Sequence, residues 1–389
     1  MKIKSLLLGS AAAMLAVSGA SAADAIVAAE PEPVEYVRVC DAFGAGYFYI
    51  PGTETCLKIS GFVRMNVTYS NNDVGEQTSS ASSWGTSVRG RVNFQAKEDT
   101  EYGVLHAYVR LQGDNSGGGD GAVVVDQGYA ELGGLVFGYT ESVWVSSKNG
   151  GASGFGSHSD NGLNYGYGQA NQIGYNFTGA NWFAAISAQD DGDASSAMPD
   201  IAGRIGGVFA GATIYAAAGY DQSAENFGVK LGLNTDIGPA GNLIVQGFYA
   251  DGPTIFGANT TLPLTAATKG TRTAEWSVLA SYQHQFTPNF KGSVGGQYSA
   301  DYYATALNSI LNAAPGTVTT TQTALGSASS GIDSWAVEGV LVWNPVANLE
   351  VRGEVRYTTF SGLAAGLPAG SYFGVDDQVD TLFRLQRNF

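Results

Sequence analysis

Basic residues are scarce in this 389-residue chain: 19 Lys and Arg stand against 34 Asp and Glu, a formal net charge of −15. Nucleic acid is therefore not an expected partner, because binding it requires cations that neutralise phosphates. Long apolar runs are missing as well. Beyond residue 22 none approaches 18 residues, and the nearest, 208–220, is 13 residues of mostly small side chains with two glycines. No membrane-spanning helix is expected. Histidine is limited to His106, His158 and His284, and cysteine to Cys40 and Cys56. Two cysteines with no histidine nearby make no metal centre, so neither metal nor cofactor is expected.

What is present begins with an export signal. Met1–Lys4 is a short basic region, Leu6 to Val17 is apolar apart from Gly9 and Ser10, and Ala20-Ser21-Ala22 fits a small-residue cleavage site. Residues 1–22 are expected to be removed, which leaves 17 basic residues against 34 acidic ones. An exported chain passes through an oxidising compartment, so Cys40 and Cys56 are expected to form a disulfide. The bridge would close residues 41–55 into a loop, worth about 3 kcal/mol of chain entropy.

From residue 57 onward the pattern has period two. Leu57, Ile59, Gly61, Val63, Met65, Val67 and Tyr69 share one face, and Lys58, Ser60, Phe62, Arg64, Asn66, Thr68 and Ser70 the other. Such strict alternation cannot form one apolar helical stripe. Residues 86–97 repeat it, and the last segment ends the same way, with Phe383, Leu385 and Phe389 on one side, Arg387 among them, and Arg384, Gln386 and Asn388 on the other. Sixteen such segments are expected between 57 and 389. Connections alternate between short turns, such as Gly133-Gly134 and Asn344–Ala347, and long stretches, such as 142–169 and 302–332. An even number of alternating strands, short turns on one rim and long loops on the other describe a closed antiparallel β-barrel in a bacterial outer membrane. The expected fold is all-β: a 16-stranded transmembrane barrel (57–389) preceded by a periplasmic-side leader (23–56).

In that phasing Arg64, Arg89, Arg91 and Arg110 point into the lumen from three successive strands, and Arg352, Arg356 and Arg384 from the last two, next to the first on closure. Guanidinium is costly in hydrocarbon and comfortable in water. These arginines either pair with lumen acids such as Glu350 and Glu354, or set a transverse field across a water-filled pore; both can hold. Loop 142–169 is long enough to be functional. Folded inward, it would bring Asp160, and with it Glu141, to face the arginines. His158, between Ser157, Ser159 and Asp160, is the one constellation suggesting hydrolysis, and sequence neighbours in a Gly-rich loop do not make a triad. Gly117–Gly121 resembles one unit of a calcium-binding repeat but occurs once, and Asp190–Asp193 lacks the full spacing of a calcium hand-loop. Catalysis is not expected.

Cys40-Asp-Ala-Phe-Gly-Ala-Gly-Tyr-Phe-Tyr-Ile-Pro-Gly-Thr-Glu-Thr-Cys56-Leu-Lys-Ile-Ser-Gly-Phe-Val-Arg64 resembles the N-terminal signature of the alphaproteobacterial general porins. Tyr129-Ala-Glu-Leu-Gly-Gly-Leu-Val-Phe-Gly138 is similar to their fourth-to-fifth strand hairpin, and Phe383–Phe389 to their closing strand, Arg387 included. The resemblance implies a homotrimer in contact with outer-membrane lipid and lipopolysaccharide. It also implies that 142–169 constricts the pore and that Arg64, Arg89 and Arg91 belong to its basic wall. The function implied is passive diffusion of small hydrophilic solutes and ions. A substrate-selective channel, for sugars for instance, is the alternative and would need an aromatic slide, for which Phe155, Tyr165 and Tyr167 are the candidates. A barrel serving as pedestal for an enzyme or adhesin is the third reading.

Overall fold

A computed structural model describes residues 38–73, 81–119, 121–145, 156–160, 162–190, 192, 198–263, 269–303, 331–361 and 377–389. The expected signal segment 1–22, the leader up to residue 37, and Lys148 and Phe155 of the long loop lie outside them. So do Asp120, Asp191 and Asp193 of the two calcium-like stretches.

The strands run in chain order as β1 (Phe48–Tyr49), β2 (Cys56–Asp73), β3 (Ala81–Thr100), β4 (Gly103–Ser116), β5 (Val123–Leu132) and β6 (Leu135–Glu141). They continue as β7 (Gln169–Thr178), β8 (Trp182–Asp190), β9 (Asp200–Phe209), β10 (Ala212–Asp221), β11 (Asn226–Ile237) and β12 (Gly241–Ala250). The last six are β13 (Asn259–Pro263), β14 (Lys269–Thr287), β15 (Phe290–Tyr302), β16 (Asp333–Trp343), β17 (Leu349–Ser361) and β18 (Asp377–Asn388). Sixteen of them form the wall as expected, each antiparallel to its neighbours, with β12 pairing β14 directly. The wall closes where β18 pairs β2, Gln386 opposite Arg64 and Leu385 opposite Met65. Beyond the last pair, Phe389 and Gly61 exchange backbone hydrogen bonds of 3.0 Å in both directions.

Two strands fall outside the expected sixteen. β1 is a short pair added to the start of β2, and β13 extends β14 within the expected loop 252–272. β2, β3 and β14 also run several residues past their expected ends. Pairing is a backbone property, so a ladder continues above the apolar belt, where side-chain alternation no longer marks it.

Alternation decides which way each side chain faces. Ile59, Val63, Met65 and Tyr69 of β2 are large apolar side chains left exposed on the outside, while Phe62 is buried inside. An apolar outer belt of this extent would aggregate in water and matches hydrocarbon instead. Trp182, Phe209, Phe286, Trp343 and Phe389 ring the short-turn rim, and Tyr69, Trp84, Tyr220, Trp276 and Trp335 the opposite one. These are the two interfacial girdles of an outer-membrane barrel. Among the described residues no helix is long and apolar enough to cross a membrane; the strands do the crossing. The turns suit their length: Gly133 and Gly134, at φ of 64° and 149°, join Leu132 to its partner Leu135 in two residues, and only glycine accepts both angles without strain.

Cys40 and Cys56 form the disulfide, with Cα atoms 6.0 Å apart. Its loop stays near the lumen side of β2 and β3. The Tyr47 hydroxyl donates to Gln95 Oε1 at 3.0 Å, and Lys58 and Lys97 lie over the Tyr47 ring at 5.6 and 5.5 Å.

Candidate functional site

The lumen holds the described residues between β6 and β7, which are 142–145, 156–160 and 162–168. The outgoing leg, Ser142–Val145, and the returning leg, Leu163–Gly168, are held against inward side chains of β9 to β14. Trp144, Val145 and Leu163 are buried with Ala202, Ala217, Phe248, Phe256 and Leu279 in one apolar cluster inside the barrel. Each large side chain removed from water this way contributes about 2 kcal/mol. Gly166, at φ 78°, is required where the legs meet: a Cβ there would lie 2.6 Å from Trp144 Nε1 and 2.8 Å from the Gly257 carbonyl.

Two cations, half-buried Arg204 and buried Lys230, grip the legs. Arg204 on β9 donates to the Val145 carbonyl at 3.2 Å. Lys230 on β11, with no exposed surface, donates to the Tyr165 carbonyl at 3.1 Å and lies 4.7 Å from the Trp144 ring centre. Cation–π contact and a carbonyl acceptor replace part of the hydration an ammonium loses on burial.

The tip spans the lumen between two groups of strands. His158 binds one group: Nδ1 is 2.8 Å from Ser281 Oγ on β14 and Nε2 is 3.0 Å from Asn242 Oδ1 on β12. Because Asn242 Nδ2 donates to Asn234 and Asp236, its oxygen accepts from Nε2–H, which assigns Nδ1 as the acceptor of the Ser281 hydroxyl. Asp160 binds the other group. Its carboxylate accepts from Arg384 on β18 and lies 3.6 Å from Arg64 on β2, while its N–H donates to Glu354 Oε1 on β17 at 2.9 Å. Beyond the tip, the Leu163 N–H donates to Glu338 on β16 and the Asn164 N–H to Gln297 on β15.

Each of the seven arginines faces a carboxylate. Arg89 pairs with Asp114 at 2.6 Å, and Arg91 and Arg110 share Asp126 at 3.4 Å each. Arg352 lies between Glu350 at 2.8 Å and Glu354 at 2.9 Å. Arg356 pairs with Asp380 at 2.6 Å and donates to the Gly162 carbonyl at 2.7 Å. Six carboxylates thus stand beside the seven guanidiniums, so the arc is largely compensated. Glu141, at the end of β6, is buried at the root of the loop, within electrostatic reach of Arg204; Asp160 is the loop carboxylate that meets Arg64 and Arg384.

Several of these residues are absent from the sequence expectations. Asp114 lies on the inward parity of β4, two residues past its expected end. Asp126 reaches the lumen through a register shift opposite Arg110 and Leu111, which no periodicity reveals. Lys230 stood in plain view, a charged residue on the inward parity of an expected strand. Its partners, Trp144 and Tyr165, are joined to it only by the fold.

A family model described as a porin subfamily matches residues 24–380. The putative outer membrane protein y4fJ of Sinorhizobium fredii is 34% identical over 311 residues, which cover 78% of this chain and 84% of that protein. Porin Omp2b of Brucella suis is 37% identical over 280 residues, covering 65% of this chain and 75% of the relative. Among solved structures, the outer membrane channel DcaP of Acinetobacter baumannii aligns over 88% of this chain and 99% of its own, with a TM-score of 0.58 at 13% identity. An anion-selective porin from Comamonas acidovorans aligns over 86% of this chain and 100% of its own, with a TM-score of 0.55 at 16% identity. At those identities the two structures speak for the barrel fold alone.

Proposed function

The chain belongs to the porin subfamily and forms a porin channel in the outer membrane, and on that footing we propose that it is a general diffusion pore constricted by residues 142–169. Small hydrophilic solutes and ions cross without ligand or energy input, past a tip made of His158 and Asp160. The observation carrying this reading is that Ser157–Tyr165 hydrogen-bonds to inward side chains of β12, β14, β15, β16, β17 and β18. A surface loop would touch none of them. Because carboxylates neutralise the arginine arc, its field on a passing ion is modest and discrimination rests mainly on size. Arg64, Arg89, Arg91, Arg110, Arg352, Arg356 and Arg384 line the pore as a cross-linked wall. Three copies assemble side by side in contact with lipid and lipopolysaccharide, residues 23–56 lie at the periplasmic rim, and residues 1–22 are the cleaved export signal.

Catalysis gains no support from the geometry. Ser157 bonds Ser159 at 2.8 Å, Asp160 is engaged by arginines, and the serine that meets His158 is Ser281, whose 1% exposure keeps substrate from its Oγ. Tyr165 and Tyr167, with ring centres 6.3 Å apart, are too short a track for a sugar slide. The test is single-channel current from purified, folded protein in a planar bilayer. Steps that open without ligand and close in thirds are expected; a heat-modifiable barrel that passes no current would refute the pore.

A further inference from the structure

Between the tip of the loop and the short-turn rim lies a cavity of about 360 Å³, at the small end of the range for ligand sites. Its lining is polar. Four cations, Arg64, Lys291, Arg352 and Arg384, face two carboxylates, Asp160 and Glu350. Asp160 is occupied by Arg384 and Arg64, and Glu350 by Arg352, which Glu354 just outside the lining also meets at 2.9 Å. Lys291 makes no ion pair among the described residues. Gln283, diagonal to it across the β14–β15 pair, makes no side-chain hydrogen bond among them either.

Register brings the cations to one level. Lys291 pairs with Val342, Val342 with Arg352, and Arg352 with Arg384. Neighbouring strands lie about 4.8 Å apart, which sets the backbones of Lys291 and Arg352 about 10 Å apart and those of Arg352 and Arg384 about 5 Å. The position between Lys291 and Arg352 is Val342, buried and apolar, so no acid on that rung separates them. An ammonium free to turn, a guanidinium pair of fixed geometry and an uncommitted amide donor make a receptor for a compact anion carrying several oxygens. With Glu354 beside Arg352 counted, the four cations exceed the carboxylates they face by one positive charge, that of Lys291, which favours an anion here.

We propose that this cavity is a binding subsite for small oxyanions, the chemistry of inorganic phosphate, seated between Lys291 and the Arg352–Arg384 pair with Gln283 as a further donor. The subsite rests on the chain being a porin channel and makes it more than a sieve: the anion pauses below the constriction before leaving through the short-turn mouth.

The probe is inorganic phosphate, titrated into single channels in about 0.1 M KCl, where the Debye length is about 10 Å, at a mildly alkaline pH above its second ionisation, so that the dianion predominates. Phosphate is expected to reduce the chloride current along a saturating curve. Lys291→Gln should raise the half-blocking concentration by about tenfold, equivalent to about 1.4 kcal/mol. Lys291→Arg should restore block, and Gln283→Leu should weaken it without altering any charge. A reduction that never saturates, or the same half-blocking concentration in Lys291→Gln, overturns the subsite while KCl steps leave the channel standing. Absence of KCl steps from folded wild-type protein overturns the channel and the subsite with it.

Discussion

Replacing Asp160 by Asn tests whether the loop tip sets the charge preference of the pore. The change removes one negative charge and keeps an oxygen for one arginine, and the Asp160 N–H bond to Glu354 at 2.9 Å belongs to the backbone and is unaffected. The loop therefore stays docked, held also by Lys230, Arg204 and His158. Electrostatics changes more. Arg384, 5% exposed at its side chain, and Arg64, 13% exposed, lose their common counter-charge. An ion passing about 5 Å from the lost charge feels a change of about 0.8 kcal/mol at the dielectric constant of water, about fourfold in local concentration. Anions gain that factor and cations lose it, so the permeability ratio should move towards anions by up to about fifteenfold in ~0.1 M salt. Reversal potentials across a KCl gradient measure this directly. Raising the salt to about 1 M shortens the Debye length to about 3 Å and should erase most of the shift. A ratio unchanged at low salt would refute the assignment of Asp160 to the constriction. A shift surviving at high salt would mean that the loop had moved.

Three other perturbations probe separate parts of the architecture. Lys230→Met removes the grip on the Tyr165 carbonyl and the cation over Trp144 without touching the seven lumen arginines; open-channel noise and brief closures should rise in a barrel that still folds, and a quiet channel would deny Lys230 its holding role. Met65→Arg places a charge on the outer face between Val88 and Leu385, and should cost about 2–4 kcal/mol in lipid-based unfolding; Asn66→Arg, one residue along and facing the lumen, should cost far less, and equal costs would contradict the strand phasing. Reducing the Cys40–Cys56 bridge releases about 3 kcal/mol of loop-closure restraint, so residues 41–55 should become open to protease while the heat-modifiable barrel band persists; loss of the band would place the disulfide in the fold's foundation instead.

Much of this protein was legible in its residues. Period-two alternation specifies a strand and the side each residue faces with one pattern, so it alone places Arg64, Arg89, Arg91, Arg110, Arg352, Arg356 and Arg384 on the lumen side. Turn glycines and the spacing of the segments supplied the strand count. The residues that escaped did so for local reasons: Asp114 is flanked by Gly113 and Asn115, which are not apolar and so no longer mark the outer face, and Asp126 is displaced by a bulge at Arg110/Leu111, where alternation loses its phase.

The sequence by itself determined inside and outside, because one residue's facing follows from its neighbour's along the same strand. Only the tertiary structure decided partners. Asp160 and Arg384 are 224 residues apart in the chain, and His158 and Ser281 are 123 apart; nothing local couples them. Closure of β18 on β2 brings Arg384 beside Arg64, and the burial of Trp144 and Phe256 inside the barrel holds the described residues 142–145 and 162–168 inside, so that His158 and Asp160 reach both groups of strands. Whether the arginine arc acts as a free field or a compensated wall depends on distances of 2.6 to 3.6 Å across strands and loops. Those distances exist only once the barrel has closed.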